Sequence, residues 1–187
     1  LRHSEGAEHK STGPGYGWIR NGLAVDEAGG IYVASQEHQH KVVWTGDRLS
    51  TDEDRGAWTA RYPNAWRHGT GATPSLLGFG DEDRFVVITD GSVVMNLVLF
   101  WRDAIPARWQ PPPGAPDPRI AGMLPANMGD PGLRAIQSEQ SVVVAGTGAL
   151  VVNNAPRHAP WYLPERARAL LVGYLGSDPD HQPFGVQ

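Results

Sequence analysis

The sequence predicts an all-β fold built from repeated four-stranded antiparallel units, and three observations carry that expectation. A hairpin signature recurs three times along the 187 residues. Glycine (23) and proline (16) are both abundant, as short strands joined by tight turns require. Helical composition is confined to one segment near the C-terminal end, between residues 164 and 174.

The first unit opens on Asn21-Gly22-Leu23-Ala24-Val25-Asp26, turns at Glu27-Ala28-Gly29-Gly30 and continues as Ile31-Tyr32-Val33-Ala34-Ser35. Two apolar, β-branched runs around a Gly-containing turn, closed by a polar exit, read as a hairpin. His40 to Thr45 supplies a third strand and Ala57 to Tyr62 a fourth. The second unit repeats the pattern with Thr73 to Gly78, a turn through Gly80-Asp81-Glu82-Asp83, Phe85 to Asp90, Asn96 to Trp101 and Arg119 to Leu124. The third begins at Glu139 to Val144, turns at Gly146-Thr147-Gly148 and continues as Leu150 to Asn154. Phe184 to Gln187 would start its third strand, after a helical insertion from Pro164 to Tyr174 that has proline at its start and Gly173 near its end.

Four strands per unit, with a unit every 50 to 66 residues, is the spacing of β-propeller blades. Blade A spans about 18–63, blade B about 70–125 and blade C, incomplete, about 135–187. The proline-rich stretch Ile105 to Pro118 reads as an extended loop inserted in blade B. Propellers close with four to eight blades, so the expectation is a fragment of a longer gene product, and both ends look cut. A β-sandwich made from the same strands is the competing architecture.

Composition narrows the function classes. A formal charge of −4 without a basic patch argues against a nucleic-acid partner and reads as a solvated acidic surface. No apolar run approaches the roughly 18 residues of a membrane span. Cysteine is absent, which removes disulfides, thiolate metal sites and cysteine nucleophiles, and fits a cytoplasmic protein or an exported bacterial one.

On the residues quoted above, Asn21 to Asp26 followed by Gly30 to Ala34 resembles the blade signature of the gluconolactonase and senescence-marker-protein propellers and of NHL-type repeats. The second and third copies resemble uncharacterised bacterial propellers of that superfamily. The likeness covers three patches and is specific for the blade. It implies six blades around a central channel. It also implies a divalent cation, Ca²⁺ or Mg²⁺, at the channel mouth, held by carboxylate and amide oxygens that include an Asn before Gly. Asn21 matches that position. The general base implied by the family is an Asp in an Asp-Gly pair on an inner strand, where this chain has Thr73 and Glu139. Asp90-Gly91 occurs instead at the exit of a second strand, a departure from the pattern.

The repeat itself makes Asn21, Thr73 and Glu139 equivalent, each at the start of the strand that would line the channel. Three oxygen-bearing side chains there suit a hard cation or a polar ligand; the alternative is that they end strands and bond to backbone and water. Asp90 and Asn153-Asn154, at second-strand exits, would lie beside them and complete the site or form Asx turns. His38 and His40 have the spacing of a metal clamp on a strand, but no third ligand accompanies them, and the segment reads as an exposed turn. Gly-x-Ser-x-Gly is absent, so no nucleophile elbow is expected. Trp44, Trp58 and Trp101 fall in outer strands, where an aromatic packs one blade on the next.

Two functional readings follow. One is a ligand- or partner-binding propeller that uses the channel mouth. The other is a metal-dependent hydrolase of the lactonase or esterase type, with Asn21 and Glu139 as metal ligands and Asp90 or Glu139 as base. A redox quinoprotein is a third, for which nothing indicates a cofactor pocket.

Overall fold

The structure, a computed structural model, describes residues 19–78, 83–156, 179–180 and 183–187, without the side chains of 154–156. The described residues are all-β apart from one 3₁₀ turn at Glu53–Arg55, and every strand pair within the sheets is antiparallel. Sheet A contains β1 (Ala24–Val25), β2 (Gly30–Ala34), β3 (His38–Trp44), β4 (Leu49–Ser50) and β5 (Trp58–Arg61). Strand β3 pairs with β4 at one end, through Val43 and Trp44, and with β5 at the other, from His38 to Lys41. Sheet B is a four-stranded meander of β6 (Ser75–Leu77), β7 (Phe85–Thr89), β8 (Asn96–Trp101) and β9 (Ile120–Pro125). In the third unit β10 (Val143–Ala145) pairs with β11 (Gly148–Leu150), and β12 (Val152–Pro156) pairs with β13 (Pro183–Val186). None of the sheets closes into a barrel.

Local chemistry explains the turns. Gly29 takes φ 86°, a conformation that costs a residue with a Cβ, and Gly146 takes φ 57° in the β10–β11 turn. Asp26 organises the β1–β2 turn: its Oδ1 accepts the N–H groups of Ala28 (2.9 Å) and Gly30 (2.7 Å), and its Oδ2 accepts the Tyr32 hydroxyl (2.8 Å). Burial opposes ionisation of Asp26, but those hydrogen bonds and nearby Lys41 outweigh it and hold the carboxyl below its usual value.

The sheets stack face to face. Tyr32, Trp58, Ala60 and Tyr62 of the first unit pack on Val86, Ile88, Val98, Phe100 and Ile120 of sheet B. The opposite face of sheet B, through Leu77, Val87, Leu97 and Leu99, packs on Val142, Val144 and Ala149. Alternation along each strand sends successive side chains into different interfaces, so β7 contributes Val86 and Ile88 to one core and Val87 to the other. This is why both arms of the hairpins read as continuous apolar runs.

The polar segment Gln36 to Lys41, expected as an exposed turn, is corrected by the structure. His38–Trp44 is a seven-residue strand, and Gln36, Gln39, His40 and Lys41 are all buried. Most of their polar atoms find partners, Gln39 Oε1 being the exception: His40 Nε2 lies 2.9 Å from Ser35 Oγ and Nδ1 lies 3.1 Å from Thr59 Oγ1. Burial is tolerated because those hydrogen bonds replace water. The expected helix from 164 to 174 lies outside the described residues. The loop from Ile105 to Pro118 contains no strand, and its Trp109 packs edge-on against Trp101, with ring centroids 5.3 Å apart.

Candidate functional site

Three short lead-in segments, Arg20 to Leu23, Thr70 to Pro74 and Ser138 to Val142, run into β1, β6 and β10. Cross-links hold them side by side. The Gly22 N–H donates to Thr73 Oγ1 (3.0 Å), the Thr73 N–H donates to Ser141 Oγ (3.1 Å), and the Ser75 hydroxyl donates to the Val142 carbonyl (2.5 Å). Asn21 Nδ2 donates to the carbonyls of Ala34 (3.0 Å) and Thr70 (3.2 Å). The residues made equivalent by the repeat, Asn21, Thr73 and Glu139, therefore sit on adjacent segments at one end of the stack. They precede their strands rather than beginning them.

Behind these segments lies a layer of uncharged polar groups. Thr70 Oγ1 and Thr89 Oγ1 are 3.4 Å apart, and the Thr89 hydroxyl also faces the Ser138 carbonyl. Ser138 Oγ donates to the Val152 carbonyl (2.7 Å), and Asn153 Nδ2 donates to the Gln137 carbonyl (2.6 Å). Of the expected second-strand exits, Asn153 lies beside the lead-ins, as does Thr89, the residue before Asp90. The Asn154 side chain is outside the described residues.

Tight backbone approach seals this end. A Cβ on Gly69 would fall 2.8 Å from both the Cα and the carbonyl oxygen of Gln36, and Gly69 has φ 66°. A Cβ on Gly91 would fall 2.3 Å from Asn64 Oδ1. Gly69→Ala is expected to cost about 2–3 kcal/mol, combining backbone strain with a clash that cannot relax by side-chain rotation. A chemical denaturation midpoint within error of wild type would show that the connection does not pack this closely.

The charges at this end bear on whether a cation fits. Glu139 is half-exposed and ion-paired, its Oε1 3.4 Å from Arg20 Nη1. The Arg20 guanidinium also donates to the His68 carbonyl (2.6 Å). Asn21 Oδ1 is enclosed without a hydrogen-bond donor, which suits an oxygen ligand. Glu139, however, would have to leave Arg20, and that guanidinium repels a second cation nearby. No group of three or more His, Asp or Glu side chains that could hold a metal gathers among the described residues. As arranged, Asn21 and Glu139 do not fit a divalent-cation centre, and no step is routed through one. The His38 and His40 rings lie 5.9 Å apart, with both His40 nitrogens already facing hydroxyl groups.

Asp90 is also corrected as a member of the site. Its Oδ1 accepts the N–H groups of Ser92 (3.1 Å) and Asn96 (2.8 Å); its Oδ2 accepts Ser92 Oγ (2.8 Å) and Asn96 Nδ2 (2.7 Å). Those four donors belong to its own β7–β8 turn, so the carboxylate caps the turn instead of facing a shared ligand. Burial pushes its carboxyl up despite them.

The opposite end of the stack is charged, and the sequence reading missed it. The Arg102 guanidinium is fully buried, with Nη2 3.2 Å from Glu27 Oε1, while Nε and Nη1 have no acceptor. Arg84 bridges Glu27 (3.2 Å) and Asp103 (2.8 Å), and Lys41 reaches Asp103 (3.3 Å). Beside this network lies an open cleft of about 620 Å³ between Lys41, Trp58, Asp103, Asp117 and Arg119. Most of its polar groups are satisfied within the fold: Asp117 accepts the N–H groups of Arg61 and Arg119, and the Arg119 guanidinium lies over the Trp58 ring. A charged pair after a strand, such as Arg102-Asp103, ordinarily signals an exposed turn, so only the packing of sheet A on sheet B reveals the burial.

Comparison with known proteins finds a relative in Archaeoglobus fulgidus, an uncharacterised protein 39% identical over 176 residues. The match covers 90% of this chain but 33% of the relative, so the chain spans about a third of that protein's length. No family model matches the sequence, and no solved structure does. Among the described residues no helix is long and apolar enough to cross a membrane.

Proposed function

We propose that the chain is a run of three blades from a β-propeller, and that the end formed by Asn21, Thr73 and Glu139 binds a small polar ligand or a partner at the mouth of its channel. The observation carrying this reading is the side-by-side alignment of the three lead-in segments through the Gly22–Thr73 and Thr73–Ser141 bonds. Stacked sheets whose first strands are neighbours place equivalent side chains around a common axis, as blades do. Thr73, Ser141, Asn21 Oδ1 and the Arg20–Glu139 pair offer neutral and charged hydrogen-bonding groups at that axis, which suits a polar ligand. Six blades would fit the resemblance, with the others supplied by sequence of the kind that makes up the rest of the archaeal relative.

The hydrolase reading remains the alternative, supported by the match of Asn21 and by its donor-free Oδ1. Calcium titration separates the two, with melting temperature followed for wild type, Asn21→Ala and Glu139→Ala. A native-state ligand at a hundredfold excess over Kd stabilises by about 2.7 kcal/mol. Silence with Ca²⁺ and Mg²⁺ is expected, together with stabilisation by at least one member of a panel of polyols and organic acids that both variants lose. A calcium shift lost in both variants would instead favour the hydrolase and call for a lactone and ester screen. No shift with any compound would remove the ligand reading.

A further inference from the structure

The cleft at the charged end of the stack shares no residue with the channel mouth. It exists because β8 does not turn directly into β9. The proline-rich insertion leaves sheet B at Asp103 to Ile105 and rejoins it at Asp117 to Arg119. Both stubs wall the opening, against Lys41 of β3 and Trp58 of β5. At about 620 Å³ the cleft has the size of a small-molecule site.

Most of its charged groups have their partners within the fold. Asp117 accepts the N–H groups of Arg61 (3.2 Å) and Arg119 (2.9 Å), and Asp103 is paired with Lys41 (3.3 Å) and Arg84 (2.8 Å). Lys41 also donates to the Arg102 carbonyl (3.2 Å). Arg119 differs. Its Nη1 donates to the carbonyls of Trp101 (3.0 Å) and Asp103 (2.6 Å), and its guanidinium carbon lies 4.7 Å from the Trp58 ring centroid. Those contacts fix the guanidinium. Yet among the described residues nothing accepts from Nε or Nη2, the paired N–H edge that fits a carboxylate. Glu53, on the 3₁₀ turn, is the second group with capacity left. It is exposed, and among the described residues its carboxylate has no ion pair or hydrogen bond. Burial lowers the pKa of Arg119, while Asp117, Asp103 and Glu53 favour its charge, so Glu53 lies within electrostatic reach of the guanidinium.

We propose that this cleft binds a small zwitterion, with its carboxylate on the Nε–Nη2 edge of Arg119 and its ammonium at Glu53. The surrounding charge chooses this class. Glu53, Asp103 and Asp117 outnumber Lys41 and Arg119 along the walls, and would repel a phosphate dianion. A plain carboxylate would satisfy Arg119 but leave Glu53 facing another anion. An amino acid meets both groups, and the fixed guanidinium need not be ordered on binding.

Isothermal titration of the protein tests this with glycine, β-alanine, 4-aminobutanoate and 5-aminopentanoate, which span a range of charge separations. Butanoate, butylamine and inorganic phosphate are the comparisons. One amino acid of the series should bind at least about tenfold tighter than any comparison, the margin of one charge-assisted contact. Glu53→Gln, a change at an exposed side chain, should erase the preference over butanoate. Arg119→Lys should weaken amino-acid binding by about tenfold or more, with circular dichroism confirming the fold. Glu139→Ala, at the channel mouth, should leave the affinity as it is in the wild type. Phosphate or butanoate binding as tightly as every amino acid would overturn the proposal, and so would a lack of binding by all the probes. Binding lost in Glu139→Ala and kept in Glu53→Gln would overturn it too, and would assign the ligand to the channel mouth instead.

Discussion

Phe100→Ala is expected to lower the unfolding free energy by about 3–5 kcal/mol, the range for emptying an aromatic site in a packed core. Phe100 is fully buried in the interface between sheets A and B, its ring stacked 6.2 Å from that of Trp58. Trp58 cannot slide into the gap, because its indole N–H is fixed to the Arg102 carbonyl (3.1 Å) and its ring lies under Arg119. A domain of this size has about 5–15 kcal/mol of stability in total, so the loss would be a large fraction of it. Trp44→Ala in the same chain should cost less than about 1 kcal/mol, since that ring is half-exposed on the outer face of sheet A. Urea denaturation of both variants checks the contrast. Equal losses would mean that sheets A and B are not held together by this interface.

The second large effect is expected at Asp90. Asp90→Ala leaves the N–H groups of Ser92 and Asn96 without their side-chain acceptor and removes the shorter of the Asn96 side-chain amide's two bonds, at a cost of about 3 kcal/mol. The acid also sets a pH dependence whose sign follows from its raised pKa. Between the ordinary value of 3.8 and its own higher value, the folded state holds the Asp90 proton more firmly than the unfolded chain does. Stability from this group therefore rises as the pH is lowered through that window and falls as it is raised. Asp26 contributes the opposite slope, because its lowered pKa gives stability that is present above 3.8 and lost in stronger acid. Melting temperatures of wild type and Asp90→Asn, followed from neutral pH down to the ordinary carboxylate range, should show wild type gaining on the variant as the pH drops. A constant difference would contradict the assignment.

The strands were legible wherever both faces of the sheet are covered. Asn96–Trp101 coincides with its expected bounds, and β2, β5 and β7 fall within one or two residues of theirs. Uninterrupted apolar runs leave little freedom in such segments, and glycine-bearing turns mark their ends. Strand β3 was clear from His40 onward but not at His38, because the pairing that extends it there is with Arg61 of β5, distant in sequence. Short β4 carries no signal beyond Leu49. The adjacency of Asn21, Thr73 and Glu139 followed from aligning the repeats, since equivalent residues in stacked sheets must be neighbours. The Arg20–Glu139 pair could not be foreseen, because it depends on how far one lead-in lies from another two units along. Asp90 illustrates the same limit: an acid followed by glycine is compatible with catalysis and with turn capping, and only the positions of Ser92 and Asn96 separate them.

The sheet-by-sheet order of the chain has a consequence for synthesis on the ribosome. Sheet A is complete by Arg61, before any strand of sheet B has been made. The face bearing Tyr32 and Trp58 must therefore wait in water until Phe85 to Pro125 have emerged, and the long proline-rich loop before β9 lengthens that interval. Slower translation across residues 62–125 would prolong the exposure of a sticky surface. Chaperone capture of the nascent chain should peak there, and decline once Ile120 has been delivered to the interface.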